Sequence, residues 1–157
     1  IRDQEAGQYM RYQQYKFKFY LNARHAIYIN GRLGDVHPHT WEIILHVTKL
    51  KSGFIKFVEV EKQIEDFFDS YQSKTLNDAE PFDKINPTLE NCARYFKDRI
   101  QAILNANGWV LLMLEISETP ARTYVLNLMD EQDFYADQNI STLTDMILDE
   151  INNGVED

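Results

Sequence analysis

Two stretches of alternating residues, each with histidine at one end, constrain this chain more than anything else in it. In the first, residues 15–28, Phe17, Phe19, Leu21, Ala23, His25 and Ile27 fall on one face. Lys16, Lys18, Tyr20, Asn22 and Arg24 take the other. In the second, from about residue 37 to 50, His37, His39, Trp41, Ile43, Leu45 and Val47 share a face. A period of 2 is that of a half-buried β-strand. Asn30-Gly31 and Gly34-Asp35 mark a turn between the stretches, so they are expected to close as a hairpin. Closure would bring His25, His37 and His39 to one point.

These are three of the four histidines in the sequence. They continue the apolar faces of their strands, where water is scarce and a charged imidazolium is costly. A metal ion would satisfy all three rings at once. Three nitrogens with a free fourth position is the layout of a reactive or ligand-binding zinc site rather than a closed structural one. The plainer alternative is three separate, hydrogen-bonded histidines near a hairpin end. His46 falls on the opposite face, beside Glu42 and Ile44, and reads as an ordinary strand residue.

After the break at Ser52-Gly53, Val60, Ile64, Phe67, Phe68 and Tyr71 recur at helical spacing, which predicts a helix from about 59 to 71. Residues 72–86 hold Asn77, Asp78 and Pro81 and read as a long connection, a length that is often functional. A second helix follows, with Asn86 as its expected N-cap and Pro87 at its first position. Leu89, Cys92, Ala93, Phe96, Ile100, Ile103 and Leu104 form its stripe, and Asn107-Gly108 ends it. A nearly all-apolar strand spans 109–118, with Glu118 on the face of Ile116, Leu114 and Leu112, and a shorter strand spans 123–128. The carboxylate of Glu118 is there either exposed at a strand end or held for a ligand. The order ββααββ predicts an α+β fold, a four-stranded antiparallel sheet with two helices on one face.

At 157 residues the chain is expected to form one domain, at 15–129, after a polar lead-in at 1–14. The net charge of −9 is concentrated in residues 130–157, which hold nine acids and no Lys or Arg. Removing those nine from the total of 25 acids leaves 16 against 16 basic residues, a neutral body. An acidic tail and the lack of a basic stripe argue against nucleic acid as a partner. Ile140, Leu143, Ile147, Leu148 and Ile151 keep partial helical spacing in the tail, which predicts a short helix over 141–152. Its acidity would suit docking on the body or on a basic protein surface. No apolar run has the length of a membrane span, and the first residues lack a signal-peptide layout. The single cysteine, Cys92, excludes an internal disulfide framework and reads as a small buried hydrophobe. A cytoplasmic location is the expectation that follows.

Five motifs in order carry a resemblance. They are Asn-Ala-Arg-His at 22–25, His-x-His at His37 and His39, Thr-Leu-Asn at 75–77, Asn-Pro-Thr-x-Glu-Asn at 86–91, and Ser-Glu-Thr at 117–119. From about residue 15 to 125 the chain resembles the 6-pyruvoyl- and 6-carboxy-tetrahydropterin synthase family. The resemblance implies a tunnelling fold whose subunits pair edge to edge into a barrel, commonly as a hexamer, with a pocket between subunits. It implies zinc on His25, His37 and His39 holding substrate side-chain oxygens, and Glu118 anchoring a pterin or purine-like ring. Bidentate pairing of a carboxylate with the adjacent N–H groups of such a ring suits that role. Thr88 would lie close to the ring; as a helix-end hydroxyl it would instead satisfy backbone N–H groups.

The departures bear on activity. Where family enzymes carry a catalytic cysteine the chain has Leu33, and where they carry an Asp-His proton relay it has Gln72 and Ser73. His-Gly-His has become His37-Pro38-His39, and an expected Asp is Lys56. Moving protons to and from a substrate needs a positioned base, for which Asp35 and Glu42 are the weak candidates. Two expectations follow: a zinc-containing protein that binds a pterin or purine-like ligand with the standard lyase machinery incomplete, or an active zinc-dependent pterin lyase, acting on dihydroneopterin triphosphate or a similar pterin, with a replacement base.

Overall fold

The computed structural model describes residues 13–50 and 55–129. The tail and its expected helix at 141–152 lie outside the described residues, as does nearly all of the lead-in. Strand β1, Tyr15–His25, leads into a small hairpin of β2, Tyr28–Ile29, and β3, Arg32–Leu33. Asn30 and Gly31 turn that hairpin with φ of 52° and 80°, the left-handed values a two-residue turn of this hand requires. Strand β4, His37–Lys49, then returns antiparallel along β1. Helix α1, Phe57–Asp69, a 3₁₀ turn at Leu76–Asp78 and helix α2, Leu89–Ala106, precede β5, Trp109–Thr119, and β6, Arg122–Asn127. The sheet order is β1-β4-β5-β6. The expected ββααββ sequence is therefore observed, with the β2–β3 hairpin inserted.

The period-2 pattern produces this packing. Phe17, Phe19, Leu21, Trp41, Ile43 and Leu45 are buried on one sheet face, while their even-numbered neighbours are half-buried or exposed. Both helices lie on the buried face. The Phe19 ring meets Phe68 of α1 at 5.9 Å, Phe68 meets Phe96 of α2 at 5.3 Å, and α2 packs on β5. Each such side chain, once buried, contributes roughly 1.5–3 kcal/mol. Cys92 is fully buried in α2, and desolvation pushes its thiol well above the ordinary range, which makes it an inert core residue.

Four features depart from or add to the sequence expectation, each for a physical reason. The first strand stops at His25 instead of running to 28, because side chains take over the backbone bonds beyond it. Asn77 accepts from Ala26 N and donates to Ala26 O, both at 2.8 Å. Asn86 does the same for Tyr28, at 2.9 and 3.0 Å. With Asn86 so engaged, the N-cap of α2 is Thr88, whose Oγ1 accepts from Asn91 N at 3.1 Å. The segment 72–86 is not structureless. Its first residues run along the β1 edge, with Ser73 N bonded to Asn22 O and Arg24 N to Lys74 O, and Leu76 and Phe82 are buried. Finally, a bulge opposite His46 and Val47 leaves Leu112 between the paired Leu111 and Met113, so both Leu111 and Leu112 are buried.

The chain divides into two compact units after Leu126. Of the second, residues 127–129 are described, and there the Asn127 side chain accepts from Met129 N at 3.1 Å.

Candidate metal and ligand site

The β1–β4 register sets His25 directly opposite His37 and Ala23 opposite His39. The hairpin thus brings the three imidazoles together, with one ring nitrogen from each within a span of 4.8 Å. His25 and His37 have ring centroids 4.5 Å apart, and His37 and His39 4.8 Å. Trp41 forms the floor, edge-on to His25 and His39 at 5.0 and 5.3 Å.

Hydrogen bonds assign the tautomers. His25 Nδ1 lies 2.8 Å from Pro87 O, and His37 Nδ1 lies 3.0 Å from Asp35 O. A carbonyl only accepts, so each Nδ1 carries the proton and each Nε2 presents a lone pair. This is the orienting bond that metal-ligating histidines usually make through their second nitrogen. His25 Nε2 is buried without a hydrogen-bond partner. Desolvation lowers the His25 pKa to about 4, with His37 and His39 adding to it against the opposing Pro87 bond. Desolvation also lowers His39, against the raising influence of Glu118. Neutral rings with lone pairs directed inward are what a divalent ion needs. The residues fit zinc, although 4.8 Å exceeds the separation of two nitrogens bound at about 2.0–2.1 Å, so the rings would draw inward around it.

Glu118 joins this group from β5. Its Oε2 is 3.7 Å from His25 Nε2 and 3.9 Å from His39 Nε2, and is itself buried without a hydrogen-bond partner. A cleft of about 580 Å³ is lined mainly from the open sheet face, by Tyr20, Thr40, Glu42, Ser117 and Thr123, with His39 and Glu118 also in its lining. Glu42 faces the cleft from β4 and accepts from Tyr20 Oη at 3.1 Å. Asp35 contributes its backbone carbonyl to His37. Leu33 is exposed, 51%, on the β3 hairpin. Thr88 spends its hydroxyl on the α2 cap. Gln72 is tied to β1, donating to Tyr20 O at 2.8 Å and accepting from Asn22 N at 2.9 Å. His46 pairs with Glu115 on the open sheet face, away from the triad. The sequence reading missed the three amide side chains, Gln72, Asn77 and Asn86, that hold the backbone around His25. Asn77 and Asn86 stand in motifs, but Asn86 reads as a helix N-cap and Asn77 only as a turn former, while Gln72 is noted only at the family's relay position.

A profile of the 6-pyruvoyl tetrahydropterin synthase family matches residues 14–128. The chain belongs to this family. A comparison with curated protein sequences gave no match. Among solved structures, the family enzyme of Caenorhabditis elegans superposes with a TM-score of 0.61 at 18% identity, covering 73% of this chain and 94% of that one. The Plasmodium falciparum enzyme gives 0.53 at 11% identity, covering 72% and 96%. The Plasmodium vivax enzyme gives 0.53 at 12%, covering 73% and 97%. At these identities the superpositions speak for the fold, the tunnelling fold of the tetrahydropterin synthases. Among the described residues no helix is long and apolar enough to cross a membrane.

Proposed function

We propose that this family member holds zinc on His25, His37 and His39 and binds a pterin or purine-like ring against Glu118. The observation that carries the reading is the convergence of buried, unpartnered His25 Nε2 and Glu118 Oε2. When bound, zinc supplies Lewis-acid polarisation of a ligand oxygen. His25 and His37 keep their lone pairs inward through the Pro87 and Asp35 carbonyls. The Glu118 carboxylate accepts from adjacent ring N–H donors. Leu33 offers no nucleophile or base, and the Gln72 amide is committed to β1. On this reading the protein binds a pterin-class ligand without the standard lyase reaction, works in the cytoplasm, and assembles edge to edge as copies of itself, a hexamer by family resemblance. The acidic tail serves a protein surface.

A second reading, an active lyase with a replacement base, is favoured by one observation. Glu42 lines the same cleft as His39 and Glu118. A family enzyme of Plasmodium vivax was solved with substitutions of a glutamate named as its catalytic residue. A carboxylate can therefore serve as a base in this fold, and Glu42 is the cleft-lining candidate, although its side chain lies on the sheet face opposite the triad.

The deciding experiment measures zinc content after purification without chelators, then binding and turnover of dihydroneopterin triphosphate by the wild type, Glu118→Ala and Glu42→Gln. Binding that needs Glu118, with no turnover, is the expected result. Turnover abolished by Glu42→Gln establishes the second reading instead, and protein free of zinc with no affinity for it ends both.

A further inference from the structure

The geometry points to a second role for Glu118: its carboxylate is the displaceable fourth ligand that caps the metal until a ring-bearing ligand arrives. The proposal rests on the zinc reading of the three imidazoles. Its own observation is the set of distances around one point.

Glu118 Oε2 stands 3.7 Å from His25 Nε2 and 3.9 Å from His39 Nε2. Both separations are too long for hydrogen bonds. Both are short enough for one ion to bridge, since zinc binds nitrogen at about 2.0–2.1 Å and carboxylate oxygen at about 2.0–2.2 Å. Donors bound at those lengths in a tetrahedron sit roughly 3.4 Å apart. The carboxylate oxygen therefore stands within about half an ångström of that spacing from two of the three imidazoles. Burial points the same way: Oε2 and His25 Nε2 are both shut away from solvent with no hydrogen-bond partner. Leaving a buried carboxylate oxygen and a buried imidazole nitrogen unsatisfied costs several kcal/mol, and a shared cation removes both penalties.

The consequence is a site that closes itself. Three histidines and a carboxylate form a four-coordinate set with no exchangeable position. A ligand oxygen enters by displacing Oε2, and the released carboxylate, still on the same strand end, is free to take the ring's N–H donors. No bond to carbon forms or breaks in this exchange; one oxygen donor replaces another. Because one group performs both tasks, metal coordination and ring binding compete for Glu118, and the protein gives up the cap only to a ligand able to use both the metal and the carboxylate.

The test uses the full chain loaded with Co²⁺, whose visible absorption reports coordination, and azide as a simple monodentate probe. In the wild type, azide should perturb the spectrum only at concentrations at least about tenfold higher than in Glu118→Gln. The variant should also show a shifted cobalt spectrum before azide and bind Zn²⁺ at least about tenfold more weakly in competition with a chelator, a loss no smaller than that from removing an outer-shell partner. Glu118→Ala gives the same readings if the Gln variant is insoluble. Wild-type and variant spectra that coincide and respond to azide alike overturn the cap while leaving the three-histidine site standing. Failure of the wild type to take up Co²⁺ or Zn²⁺ overturns the metal site and the cap together.

Discussion

The side-chain amide of Asn77 replaces a neighbouring strand for Ala26, accepting its N–H and donating to its carbonyl at 2.8 Å each. This clamp sits one residue past His25, the fully buried ligand candidate, and fixes the strand end from which that imidazole projects. Asn77→Ala should cost about 2 kcal/mol, near 1 for each bond. It should also weaken zinc binding, because the His25 backbone loses its anchor. Denaturant unfolding and metal competition check both, and an unchanged unfolding midpoint would show the clamp to be idle.

Gln72 stands where the family's acidic relay residue is expected, yet both ends of its amide are bound to β1 backbone. Replacing Gln72 and Ser73 with Asp and His should therefore lower stability by about 1–2 kcal/mol without creating turnover. The shorter Asp cannot donate to Tyr20 O. Thermal unfolding beside an assay with dihydroneopterin triphosphate tests this, and a gain of turnover would refute it.

The Thr88 hydroxyl caps α2 through Asn91 N. Thr88→Ala should cost about 1 kcal/mol of stability, and Thr88→Ser should restore most of it. If capping is the whole role, ring affinity stays unchanged in the folded Ala variant. A selective loss of affinity at full stability would instead return Thr88 to the ligand site.

His25 has its pKa lowered from the ordinary 6.5 to about 4 by burial. Between those values the unfolded chain binds a proton that the folded chain refuses. Stability is thus complete above about pH 6.5 and declines as pH falls toward 4, by an amount on the order of 3 kcal/mol in metal-free protein. His39, lowered in the same direction, adds to the decline. Unfolding midpoints from pH 7 to 4, compared with those of His25→Asn, isolate the contribution; equal slopes for both proteins would contradict it.

Much of this architecture could be read from periodicity. Alternation alone placed Phe17 to His25 and His37 to Val47 on facing strands, and the register then follows from the turn. What was not legible are features decided by partners distant in sequence. The β5 bulge at Leu112 exists only in relation to His46 and Val47. The cap of α2 falls on Thr88 because Asn86 is occupied with Tyr28, 58 residues away. The segment 72–77 carries little apolar pattern because its ties to β1 are polar, through the Gln72 amide and the backbone of Ser73 and Lys74. The closeness of Glu118 to the histidines depends on β5 lying beside β4, which local pattern does not specify.

The ribbon of chain laid along β1 also acts as a stop. From Tyr20 to Arg24 the outward backbone groups of that strand are already engaged, by the Gln72 side chain, Ser73 N and Lys74 O. Among the described residues, a strand from another copy that adds to this edge can hydrogen-bond only nearer its beginning, around Lys16 and Lys18. The space left is short, comparable with the six residues of β6. If copies pair through this edge, how far one sheet can slide along another is set by where residue 72 begins to cover it.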